Sequence, residues 1–184
     1  MKTLETPRLL LRPWAWGDLY DFYEYASNPR IGPRAGWPPH RTLSDTRSAL
    51  SRFISGNEVR ALELKSQRKV IGSIGVHADK RRPAGKAREI GFVLSEPYWG
   101  QGLMPEAVRA VLAHLFLEEG VDVVSCSHYP NNLQSRAVIE KCGFQYEGTL
   151  RSTCERVGGG LADECCYSML RREYFGQYSR RPRP

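Results

Sequence analysis

The stretch YWGQGLMPEA, residues 98 to 107, places Gly100 and Gly102 around a glutamine, between an apolar run and a segment with helical spacing. A strand-to-helix turn of this kind can aim several backbone N–H groups into one space at the positive end of a helix, which suits a phosphate. The glycines permit φ > 0 and leave no side chain in the way, and Pro105 stands where a helix begins, at a position whose N–H would be unpaired in any case. On its glycines alone the stretch reads first as a plain tight turn. No Gly-Lys-Ser/Thr marks a P-loop, and no Gly-x-Gly-x-x-Gly is followed about 20 positions on by an acidic residue, so a dinucleotide fold is not indicated either.

The elements that must position this turn follow from hydrophobic period. Residues 8–14 are strand-like, and 18–27 carry apolar and aromatic residues at helical spacing. Residues 28–40 hold four prolines, two glycines and a tryptophan, so they form a loop, long and aromatic enough to cover a site. Ser44 is expected to cap a helix running to about Ile54, ended by Gly56. A period of two then marks strands at 59–65, 69–77 and 87–94, an antiparallel meander. From Pro105 the stripe Ala107, Val108, Val111, Leu112, Leu115 and Phe116 predicts a helix ended by Gly120. Residues 121–128 form a buried strand, and 131–143 a helix capped by an asparagine and stopped by Gly143. FQYEGTL and LADECCYSML are two closing strands. The strands at 87–94 and 121–128 flank a helix, so they should be parallel neighbours.

The 184 residues suffice for a single domain, placed at 1–175, with a basic flexible tail at 176–184. No apolar run approaches the roughly 20 residues that span a bilayer, which argues against a membrane protein. The N-terminus lacks a signal-peptide pattern, which favours the cytoplasm. The five cysteines include no zinc spacing and read as reduced thiols, with no metal expected. Of the formal charge of +7, residues 171–184 supply five arginines against Glu173, so the basic excess is mostly a tail and argues against nucleic acid as a partner.

Five blocks in order, TPRLLLRPW, IGSIGVH, EIGFVLSEPYWGQGLMPEA, NNLQSRAVIEKCGFQYEGTLR and DECCYSMLRREY, cover nearly the whole chain. Together they resemble the GCN5-related N-acetyltransferases (GNAT), in particular the branch with the ribosomal-protein N-terminal alanine and serine acetyltransferases. The resemblance implies an α/β (α+β) fold: a mixed, mostly antiparallel sheet of about six to seven strands flanked by about four helices, splayed between the fourth and fifth strands. It implies acetyl-CoA as co-substrate, its pyrophosphate held by backbone amides of Trp99, Gly100, Gln101, Gly102, Leu103 and Met104. Trp99 replaces the family motif's first polar residue and Met104 its last small one. Neither change removes a main-chain donor, but Met104 must point away from the phosphates. Phe92, Val93 and Leu94 should offer their backbone to the pantetheine arm, with Asn132 and Ser135 of Asn-x-x-Ser beside it.

A lysine-type amine, with pKa near about 10.4, must lose a proton before it attacks a thioester. By the resemblance Glu89 is the first choice of base, acting directly or through water; a solvated strand-end carboxylate is the other reading of it. Ser135 and Tyr167 are the candidate acids near the sulfur, and Tyr167 reads equally as a core tyrosine. Trp37, His40 and His128 are candidates to line the acceptor pocket. The expected activity is acetyl transfer to a primary amine, a protein N-terminus or a small molecule, by direct attack in a ternary complex, in a monomer or homodimer. A non-catalytic acyl-CoA-binding module and transfer of a different acyl group are the competing readings.

Overall fold

The computed structural model describes residues 1–83 and 85–178. Its elements are β1 (Leu4–Glu5), β2 (Leu9–Arg12), α1 (Leu19–Ala26), α2 (Leu43–Gly56), β3 (Val59–Leu64), β4 (Lys69–Ala78), β5 (Ala87–Leu94), α3 (Leu103–Ala113), β6 (Val123–His128), α4 (Leu133–Lys141), β7 (Gln145–Glu155), β8 (Leu161–Leu170) and α5 (Arg171–Tyr178). The strands form one sheet in the order β1-β2-β3-β4-β5-β6-β8-β7. Only β5 and β6 run parallel; the other pairs are antiparallel. Both the meander and the parallel crossover are therefore present.

The described residues give eight strands and five helices, one more of each than the upper expectation. The added strand, β1, is two residues long and shows no period of its own; it exists by pairing Leu4 with Leu11 and Glu5 with Leu10. The added helix, α5, has no apolar stripe in RREYFGQY and is held by tertiary contact: buried Tyr174 stacks on Phe116 with ring centroids 4.8 Å apart, and Glu173 accepts a bond from the Leu170 amide. It runs through the first residues of the expected basic tail; residues 179–184 of that tail lie outside the described residues.

The sheet buries both faces. Ile74, Ile90, Val108, Leu112, Phe116, Val124 and Met169 pack on the face that carries α3 and α4, and Trp14, Phe22, Tyr25, Leu50 and Ala61 on the face that carries α1 and α2. Full burial of each such side chain contributes about 1.5–3 kcal/mol. Helix ends differ from the sequence reading in three places. Thr42, not Ser44, caps α2, in a reciprocal box in which Asp45 returns a bond to the Thr42 amide. That helix runs through Gly56 and stops at Asn57, whose φ is 52°. And α3 begins at Leu103 rather than Pro105; the proline is tolerated at the third position because the first four N–H groups of a helix have no intrahelical partner.

Candidate active site

Pairing between β5 and β6 covers only Ala87–Glu89 against Val123–Ser125, although β5 continues to Leu94 and β6 to His128. The strands diverge beyond that point, so their facing main-chain groups have no ladder partner. A cleft of about 670 Å³ opens there, lined by Gly91, Phe92, Val93 and Leu94 of β5 and by Cys126, Ser127 and His128 of β6. The alternation of β5 sends Phe92 and Leu94 toward the α3 core and Val93 toward the α1/α2 core.

The turn at the mouth of the splay is built as its sequence suggests. Gly100 and Gly102 have φ of 75° and 74°, and Gly102 is the N-cap of α3. The amides of Gly100, Gln101, Gly102, Leu103 and Met104 find no acceptor among the described residues. Of these residues Gly100, Gly102, Leu103 and Met104 line the cleft, together with Trp99. Met104 buries its side chain in the α3 core. Trp99 donates its indole N–H to the Leu94 carbonyl at 2.7 Å, which ties the turn to the end of β5. Gln101 does not line the cleft: its side chain donates to the Pro97 carbonyl, and its own carbonyl accepts from Arg8 at 2.9 Å. Glu106 completes that brace, accepting from Thr6 at 2.6 Å and from the Arg8 guanidinium at 2.7 Å.

The loop at 28–40 crosses the cleft and is fastened on both sides. Asn28 and Arg30 reach Glu96 at 2.9 and 2.8 Å, while the Arg34 carbonyl accepts from Asn132 and the Arg34 guanidinium donates to Gln134. Trp37 and His40 of this loop line the cleft. His40 Nδ1 lies 2.8 Å from Thr46 Oγ1, and burial holds its pKa below the ordinary histidine value, so it is neutral at pH 7. Asn132 is engaged twice: its carbonyl caps α4 through the Ser135 amide, and its NH₂ holds the loop. Ser135 lines the cleft with a hydroxyl that has no partner among the described residues.

The remaining candidates do not all converge. Tyr167 is buried behind the cleft wall and reaches it through His128, whose Nε2 lies 3.3 Å from the Tyr167 hydroxyl. His128 Nδ1 lies 2.8 Å from the Tyr129 carbonyl, which can only accept, so Nδ1 carries the proton and Nε2 accepts from the tyrosine. Glu89 stands at the closed end of the splay and is not among the cleft-lining residues. Burial pushes its carboxyl above the ordinary value, with Arg81 at 3.5 Å opposing. Around it lies a polar cluster with no motif to announce it: Arg81 bridges Glu89 and Glu164, Glu164 accepts from Ser127 at 2.6 Å, and Ser125 donates to Asp79 at 2.8 Å. Cys126, the cysteine on the cleft wall, is buried, and burial pushes its thiol upward, away from the reactive thiolate form.

A splayed pair of strands, a helix N-terminus with unpaired amides and a roofed cleft define an acyl-transfer fold. The family model described as the acetyltransferase (GNAT) domain matches residues 8–145, and the chain belongs to that family. It is 30% identical over 181 residues to the uncharacterized N-acetyltransferase p20 of Bacillus licheniformis, covering 96% of this chain and 100% of that one. A GNAT-family acetyltransferase structure from Bacillus anthracis superposes with a TM-score of 0.85 at 26% identity, over 94% of this chain and 100% of that one. The fold is also that of the ribosomal-protein-S5-alanine acetyltransferase of Vibrio fischeri, with a TM-score of 0.74 and 21% identity over 95% and 99% of the two chains.

Proposed function

We propose that this acyltransferase moves an acetyl group from acetyl-CoA to a primary amine in a ternary complex. One observation carries the reading: Gly100, Gly102, Leu103 and Met104, whose amides are unpaired among the described residues, line the same cleft as the parted edges of β5 and β6. The amides suit a pyrophosphate, and the free edge of β5 suits the amide-bearing pantetheine arm. When bound, acetyl-CoA supplies the thioester carbonyl that the amine attacks, with the C–S bond breaking. The chain's part is to hold the arm, take a proton from the ammonium and return one to the sulfur. Ser135, with its unengaged hydroxyl, is the proposed acid; the Tyr167 hydroxyl already donates to His128. Glu89 is the proposed carboxylate base, and because it does not line the cleft the proton reaches it through an intermediary. A thiol with a raised pKa at Cys126 favours direct transfer over a cysteinyl intermediate.

The test is thiol release from acetyl-CoA against N-terminal peptides, polyamines, amino acids and aminoglycosides. Amine-dependent release is expected with at least one class. Tight coenzyme A binding without release from any of them would replace the reading with a binding module.

A further inference from the structure

The face of the sheet under α1 and α2 holds a second feature. In the register of β3, β4 and β5, Val59 stands opposite Gly75 and Gly75 opposite Gly91, so two neighbouring strands present no side chain at the same level. Gly91 is exposed, with nothing within 4 Å of where a Cβ would stand. Above Gly75 the space is taken by the His77 ring, whose Nε2 lies 2.5 Å from the position a Cβ would occupy. His77 lines the cleft. Its Nδ1 donates to Glu58 Oε2 at 2.9 Å, which orients the ring and leaves Nε2 with no partner among the described residues. Across the ladder His77 pairs with Glu89. An imidazole fixed on one nitrogen by a carboxylate, with the other nitrogen open to a cleft, has the form of a general base.

We propose that His77, oriented by Glu58, takes the proton from the incoming ammonium and passes it on toward Glu89. The inference rests on the acetyl-transfer reading above and names the intermediary it requires. Adjacent strands are about 4.8 Å apart, so an amine seated over the bare backbone of Gly91 is within reach of Nε2 above Gly75, directly or through one water. In the step, an N–H bond of the ammonium breaks and an Nε2–H bond forms; the imidazolium keeps its Nδ1–H on Glu58, and the freed nitrogen lone pair attacks the carbonyl carbon. A second proton leaves the nitrogen as the amide forms and departs with the thiolate. The proton on His77 moves to Glu89 through water. The carboxylates facing His77 are Glu58 before β3 and Glu89 on β5, and Arg52 of α2 lines the same cleft. His40, from the loop, is neutral there.

The experiment compares the wild type with His77→Gln and Glu58→Gln, using a lysine-type amine and a fluorinated amine already unprotonated at neutral pH. With the basic amine, His77→Gln should lower kcat about 100-fold and flatten the acidic limb of the pH–rate profile. With the weakly basic amine the loss should shrink to a few-fold, and added imidazole should restore part of the rate. Glu58→Gln, at an exposed carboxylate, should lower kcat about tenfold and move the acidic limb downward in pH. Equal losses with both amines, or an unchanged limb in both variants, would overturn the role of His77 while leaving acetyl transfer standing. No thiol release by the wild type with any amine would overturn the underlying reading itself.

Discussion

At Glu89 stability and chemistry pull in opposite directions. Burial raises its carboxyl above the ordinary value, against the pull of Arg81. A carboxyl with a raised folded-state pKa favours folding when protonated, below its unfolded pKa, and that contribution is lost as pH rises through the folded value. At pH 7 the charged Glu89 therefore works against the fold, while its raised pKa brings it nearer the range useful to a base. Glu89→Gln is expected to lower turnover by 10²-fold or more with little change in coenzyme A affinity, and to raise the melting temperature by about 2 °C or less. Melting curves and a pH–rate profile check both halves. Unchanged turnover would remove Glu89 from the mechanism, and a lower melting temperature would mean that its contact with Arg81 outweighs the burial cost.

The turn between β5 and α3 depends on two backbone conformations that side-chain-bearing residues rarely adopt. At Gly100, φ is 75° and no atom lies within 4 Å of an added Cβ, so Gly100→Ala meets no clash and its cost comes from the backbone alone, about 1 kcal/mol. The variant is expected to fold, to lose about that much in urea denaturation, and to bind coenzyme A about tenfold more weakly as the turn that carries the amides of Gly100, Gly102, Leu103 and Met104 is distorted. Calorimetry that finds affinity intact would place the pyrophosphate elsewhere. This element was legible because glycine and proline constrain the chain locally, and the β5/β6 crossover because parallel neighbours need a connecting helix. Gly75 and Gly91 carried a comparable signal, two glycines inside strands where the backbone is left open, but their alignment depends on register, which no local pattern fixes. His77, Glu58 and Glu164 carried none: each is an ordinary residue on a strand or turn until the sheet brings it beside its partner. β1 and α5 escaped notice for a related reason, since tertiary contact rather than propensity holds them.

Across the whole molecule, carboxylates from buried Asp79 to exposed Glu147 fasten segments that are far apart in sequence. Glu106 binds residues 6 and 8 to α3, Asp79 joins its turn to Ser125 of β6 and to Arg82, and Glu147 ties Arg82 to β7 and Ser168. In all three, burial pushes the carboxyl upward but hydrogen bonds and cationic neighbours outweigh it, so the folded-state value lies below the ordinary one. A carboxylate with a depressed pKa contributes stability in full above its unfolded pKa and loses it as pH falls through the folded value. The protein should therefore hold its urea midpoint from pH 7 down to the ordinary carboxylate range and lose stability steeply below it. Asp79 dominates the expectation because its side chain is fully buried, with Ser125 and Arg82 each at 2.8 Å. Asp79→Asn should cost about 1–3 kcal/mol at pH 7, through partners left poorly satisfied, and should flatten the fall in stability between pH 7 and about 3. Urea titrations of both proteins at several pH values measure the two effects separately. An Asn variant that is weaker at pH 7 yet falls as steeply in acid would mean that the Asp79 cluster contributes through its hydrogen-bond geometry rather than its charge, leaving Glu106 and Glu147 to account for the acid sensitivity.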